Sequence, residues 1–130
     1  MTYGRLADPS AQQWLGTDQL GRDLLSRVLV GTRVAIGIAL GSILLSLGIS
    51  IVLGLVAGYG TRWLDGVLIL VFDSVASVPL VMLGLAAGTL LGAGALTVVL
   101  VIVLYSVPSY ARMVRSQALS LKNRDFVMAE

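Results

Sequence analysis

A chain of 130 residues that is 57% hydrophobic and only 12% charged is far more apolar than a soluble domain, in which about a quarter of residues carry charge. Its mean hydropathy of +0.94 and pI of 9.4, with a net charge of only +2, place the basic residues beside apolar runs, a topological pattern that speaks against nucleic acid as a partner. With no cysteine and no histidine there is no disulfide framework, no thiolate zinc site and no imidazole proton shuttle.

Residues 1–13 are polar, with Asp8 and Pro9, and lack the apolar centre of a signal peptide; they are expected as an external segment. From Trp14 to Arg33 the chain reads WLGTDQLGRDLLSRVLVGTR. Thr17 or Asp18 would cap a helix from about Asp18. Leu20, Leu24 and Val28 recur every fourth residue beside Leu25 and Leu29, with Asp23 and Arg27 one turn apart. That pattern predicts an amphipathic helix at the membrane surface over 14–33.

Residues 34–61 carry no charge, and a helix of that length exceeds the ~30 Å hydrocarbon core. The first span is placed at about 34–60. One of its faces gathers Gly37, Gly41 and Gly48 and another Ser42, Ser46 and Ser50, so the serines either pack between neighbouring helices or line a solute path. A turn at Gly58 to Arg62 leads past Trp63, an interfacial anchor, into a second span at about 64–91, interrupted by Asp73 and Pro79. Gly84, Gly88 and Gly92 are spaced for close packing near its far end. After a turn at Gly92 to Gly94, a third span covers about 96–113, with a kink expected at Pro108.

Arg112, Arg115, Lys122 and Arg124 follow the third span and mark that side as cytoplasmic, which puts the amino end outside. Arg22, Arg27 and Arg33 then lie outside, against the usual bias. The final residues, Phe126, Val127, Met128, Ala129 and Glu130, contain no helix stop signal, so the chain reads as a fragment of a larger bundle.

No catalytic constellation is evident: without His or Cys, Lys122 is the only lysine available to activate a nucleophile, and no phosphate-cradling G-x-x-x-x-G-K-[ST] loop exists. The chain reads as a non-enzyme that needs no cofactor. Asp73 is the ionisable group well inside an apolar stretch. It either pairs with a basic residue, caps a broken helix, or contacts a cationic substrate group.

Leu15-Gly16-Thr17-Asp18-Gln19-Leu20-Gly21-Arg22-Asp23, with Ser26-Arg27 and Gly31-Thr32-Arg33, resembles the L-G-T-D-x-L-G-R-D signature of bacterial ABC-importer permeases for dipeptides, oligopeptides and nickel. The similarity continues through Gly54 to Tyr59, Asp73, Pro79, Gly92 to Gly94, Ala111-Arg112 and Arg115, and so covers nearly everything after Ser10. It implies a partial type I permease bundle, 34–130 in this chain, of three transmembrane helices preceded by the amphipathic helix. It also implies that Phe126 to Glu130 begin the coupling segment that docks on an ATPase subunit. Met128 stands where the family usually has glutamate, Glu130 where it has alanine, and Leu70 where relatives often have arginine. The implied partners are a second homologous permease subunit, two ATPase subunits, a periplasmic or lipid-anchored substrate-binding protein and the lipid bilayer. A three-span scaffold held by Gly and Ser contacts and a channel lined by the serines and Asp73 are the rival readings.

Overall fold

A computed structural model of the chain describes residues 4–127, with side chains through Lys122. It forms two compact units, Met1–Gly37 and Ile38–Glu130. Among the described residues there are four helices: α1 (Leu24–Tyr59), α2 (Arg62–Ala76), α3 (Leu80–Leu91) and α4 (Ala95–Val127).

In the first unit the stretch 14–33 is not one helix. Residues 14–23 form turns and isolated bridges, and α1 begins only at Leu24. The reason lies in two glycines with positive φ, Gly16 (72°) and Gly21 (70°), and in Asp18, whose carboxylate is occupied in closing a turn. Asp23, rather than Thr17 or Asp18, caps α1: its Oδ2 accepts from the Ser26 backbone N–H at 2.9 Å and from the Ser26 hydroxyl. The amphipathic residues from Leu24 to Arg33 are the opening turns of α1 itself.

In the second unit the far half of α1 lies along α4. The Ser50 hydroxyl donates to the Val107 carbonyl at 3.2 Å. A Cβ added to Gly54 would stand 2.6 Å from Val114 Cβ and 2.7 Å from the Ala111 carbonyl, and one on Gly58 2.6 Å from Ala118 Cβ. The contacts climb both helices in the same direction, so α1 and α4 are parallel. The intervening segment must therefore carry the chain back.

That return is bent. α2 and α3 meet at 84° across Ser77, Val78 and Pro79, where Pro79 has no N–H to continue α2 and biases the residue before it away from helix. Ser77 closes α2 by donating its backbone N–H to Asp73 O at 2.9 Å, and Pro79 opens α3. The single second span expected at 64–91 is thus two pieces of 15 and 12 residues, each shorter than the ~20 that cross a bilayer alone. Helix α1 and the Ala95–Lys122 part of α4 are long and apolar enough to cross, and the bent pair makes a third span if counted as one. Gly92, at φ 85°, turns the chain between α3 and α4 as expected, whereas α4 stays helical through Pro108.

The glycine rows behave differently from expectation. At Gly37, Gly41, Gly48, Gly84 and Gly88 nothing among the described residues lies within 4 Å of where a Cβ would be. A small residue permits close approach without driving it, and α4 settles on the longest unbroken row of small side chains, Ser42, Ser46, Ser50, Gly54 and Gly58 at every fourth position. Leu45 interrupts the row of Gly37, Gly41 and Gly48.

Candidate functional site

The signature segment folds into a closed polar loop. Thr17, 3% exposed, donates its hydroxyl to the Gly4 carbonyl at 2.6 Å and accepts from the Ala7 N–H at 2.7 Å. Leu6 N–H donates to Asp18 O and Thr17 N–H to Ala7 O, which holds residues 4–7 against the signature. A Cβ on Gly16 would stand 2.3 Å from the Ala7 carbonyl, so glycine is required there both for its φ and for that approach.

Asp18 organises the next turn. Its Oδ1 accepts from the Leu20 and Arg22 backbone N–H groups at 2.8 and 2.9 Å, and its Oδ2 from Arg22 Nε at 3.0 Å. The Arg22 backbone bond, aided by that of Leu20 and by the guanidinium, holds the Asp18 carboxyl below the usual carboxylate range against a smaller desolvation effect. The Ser26 hydroxyl and backbone N–H lower Asp23 in the same way. Arg27, expected beside Asp23, instead stands 3.8 Å from Asp18; Asp23 caps through Oδ2, and its Oδ1 is buried with no partner among the described residues. Gly16, Thr17, Asp18, Gly21, Arg22 and Asp23 are therefore brought together, and each has a task inside the loop.

In the second unit Ser42, Ser46 and Ser50 are fully buried; Ser50 bonds across to α4, while the Ser42 and Ser46 hydroxyls find no partner among the described residues. Asp73 Oδ1 accepts from an Arg112 terminal nitrogen at 2.8 Å, with side chains 61% and 42% exposed. A second pair was not anticipated. Arg115 embraces Asp65 through two bonds, one from Nε and one of 2.6 Å from a terminal nitrogen, with side chains 24% and 22% exposed. Its signal in the sequence was two acids on α2 answered by two arginines three apart, on one face of α4.

A groove of about 430 Å³ between α1, α2 and α4 is lined by apolar side chains such as Leu53, Phe72, Leu104 and Val107 and offers a polar solute no side-chain hydrogen bond. Of the expected coupling residues, Phe126 and Val127 lie on the backbone of α4, their side chains outside the described residues; Met128, Ala129 and Glu130 lie outside them altogether. Among the described residues no group of three or more metal-ligating side chains occurs.

Comparison with known proteins adds the following. The family described as binding-protein-dependent transport system inner membrane component matches residues 50–129. A glutathione transport system permease protein of Pectobacterium atrosepticum is 37% identical over 96% of this chain and 42% of its own length. A dipeptide transport system permease protein of Alkalihalophilus pseudofirmus is 35% identical over 96% of this chain and 41% of its own. For a nickel transport system permease protein of Escherichia coli K12 the values are 41%, 96% and 45%. The chain thus spans less than half the length of these relatives.

Proposed function

This chain belongs to the binding-protein-dependent transport system inner membrane components, the permease subunits of ABC importers, and from that premise we propose that it forms part of the route by which di- or oligopeptides cross the bacterial cytoplasmic membrane. The observation that carries the peptide reading is similarity over 96% of the chain to permeases named for glutathione and dipeptide transport. On this reading ATP is hydrolysed by two separate ATPase subunits. A second homologous permease subunit completes the pathway, and a periplasmic or lipid-anchored binding protein delivers the solute.

The amino end lies outside and the carboxyl end inside, in keeping with Arg112, Arg115, Lys122 and Arg124 at the cytoplasmic edge and with the parallel course of α1 and α4. Helix α4 runs unbroken from Ala95 to Val127, so a push on Phe126 to Glu130 by an ATPase would reach the α1 and α2 contacts without slack. The signature loop, being internally closed, serves as a rigid external element.

The test is uptake of a labelled dipeptide by the native transporter in proteoliposomes supplied with ATP. Dipeptide uptake abolished by deleting this chain supports the reading, and uptake of nickel alone would overturn the peptide assignment. For coupling, Phe126→Ala should lower recovery of the ATPase with the membrane subunit and its substrate-stimulated hydrolysis, with membrane insertion intact. Normal recovery and normal stimulation would refute docking.

A further inference from the structure

Arg115 stands at the junction of three helices. Its side chain embraces Asp65 in the first turn of α2. Its backbone carbonyl faces the last turn of α1, where a Cβ on Gly58 would stand 3.4 Å away. Gly60 and Thr61 alone join α1 to α2, so α4 grips the turn between them from both sides. Phe126 lies about 16 Å farther along the same unbroken helix.

What holds α2 on α4 differs in kind along its length. Phe72, 2% exposed, packs into the groove with Leu104 and Val107. Apolar contact of this sort resists separation but has no direction, and so resists sliding weakly. A guanidinium joined to a carboxylate by two bonds fixes distance and angle together, and Asp65 with Arg115 is about three-quarters covered. The second pair, one bond between Arg112 and Asp73, is weaker and more open, yet it braces the first. Asp65 and Asp73 stand about 12 Å apart along α2, whereas Arg112 and Arg115 stand about 4.5 Å apart along α4. The two arginines therefore reach in opposite directions, and a slide of α2 that relaxes one pair stretches the other. Beyond α2 there is little slack, because the corner is tied by Ser77 N–H to Asp73 O, Val78 N–H to Val75 O and the Ser77 hydroxyl to Ser74 O.

Resting on the permease reading and on ATPase docking at Phe126 to Glu130, we propose that Arg115 and Asp65 are positioning residues that make α2, and α3 beyond the bend, travel with α4. When an ATPase moves the carboxyl end of α4, the turn between α1 and α2 moves with it as one body. Without the pair, α4 slides past α2: the ATPase stays bound and hydrolyses ATP, but hydrolysis no longer answers to solute.

The test separates this role from mere stability in the native transporter carrying the full-length subunit. Asp65→Leu with Arg115→Leu removes the ion pair and leaves an apolar contact that holds the fold. ATPase recovery and basal hydrolysis should be unchanged, while solute-stimulated hydrolysis and uptake of labelled dipeptide fall at least about fivefold. Asp65→Cys with Arg115→Cys should show the same loss, and joining the two thiols with a short, cleavable bifunctional reagent should restore uptake, since what matters is that α2 and α4 are tied. If the leucine pair transports normally, or if the cross-link arrests uptake and its cleavage releases it, α2 moves against α4 in transport and the assignment falls while the permease reading stands. Stimulation lost only in step with ATPase recovery would reduce the pair to a contact that holds the fold and likewise overturn it. Failure of the unsubstituted transporter to take up any solute would instead strike the permease reading itself.

Discussion

The loop of residues 4–23 is closed by polar bonds around a buried threonine, whereas the bundle of residues 38–127 closes on serines, glycines and alanines. In the loop nearly every partner is specified: Thr17 serves Gly4 and Ala7, Asp18 serves Leu20 and Arg22, and Asp23 serves Ser26. In the bundle Ser50 to Val107 is the side-chain bond found between α1 and α4 among the described residues, and the rest of that seam asks only that side chains be small. A polar closure constrains identity at each position. A packing closure constrains size, and leaves the choice among glycine, alanine and serine loose.

The sharpest way to break that contrast is to give the bundle a polar dependence. Arg115→Leu should strand the Asp65 carboxylate and cost about 2–3 kcal/mol, less than the 3–5 of a fully buried pair because both side chains are about a quarter exposed. The double change Asp65→Leu with Arg115→Leu should recover most of this, and Arg112→Leu should cost no more than about 1 kcal/mol. Thermal unfolding of the detergent-solubilised subunit reads all three, and equal losses for Arg112→Leu and Arg115→Leu would erase the distinction drawn between the pairs. Next in size, Gly54→Ala should cost about 1–3 kcal/mol by overpacking against Val114 and Ala111. Gly41→Ala, facing open space, should be neutral or slightly stabilising, as alanine is in any helix.

Within the loop, Thr17→Val should leave Ala7 N–H and the Gly4 carbonyl without their partner and cost about 1–2 kcal/mol of local stability, seen as faster proteolysis before Trp14, while Thr17→Ser keeps most of it. The smallest effect concerns pH. Because Asp18 and Asp23 are held below their unfolded value of about 3.9, their contribution is complete above about pH 5 and is lost as pH falls through the lowered folded values. Amide exchange at Leu20 and Arg22 should accelerate relative to the bundle in that acid window and be flat from pH 5 to 8.

The same contrast governs what could be read beforehand. Fold class and number of apolar runs were legible because hydrocarbon thickness translates directly into run length, and Gly92 to Gly94 was legible as a turn because α3 and α4 need a positive-φ residue between them. The signature was legible as a motif but not as a shape: its leucines suit a helix, and the tasks of Gly16, Gly21 and Asp18 depend on contacts with residues 4–7 that periodicity does not encode. The bend between α2 and α3 was visible at Pro79, but its 84° angle depends on how each piece packs on α4. Ser42, Ser46 and Ser50 were recognised as one face, yet their continuation into Gly54 and Gly58 was hidden by assigning Gly58 to a turn. Asp65 escaped notice beside Trp63, where an acid at the start of a helix has an adequate local explanation.

The sequence distance between paired charges dictates an order of events during synthesis. Arg115 is made 50 residues after Asp65 and Arg112 39 after Asp73, which at about 5–20 residues per second is an interval of seconds. Throughout it the segment α2–α3 holds Asp65 and Asp73 without the arginines that pair with them, Arg62 at the start of α2 being its one cation, while α1, free of charge from Val34 onward, can already rest in lipid. Insertion should therefore proceed in two instalments, α1 alone and then α2, α3 and α4 together. Nascent chains arrested with α1 to α3 emerged but Arg112 still in the ribosome should keep α1 in the bilayer and leave Asp65 and Asp73 open to water and proteases; firm retention of α2–α3 in lipid at that length would show that the arginines are not awaited. The helix that supplies the bundle's last contacts is then also the licence for its second one to enter.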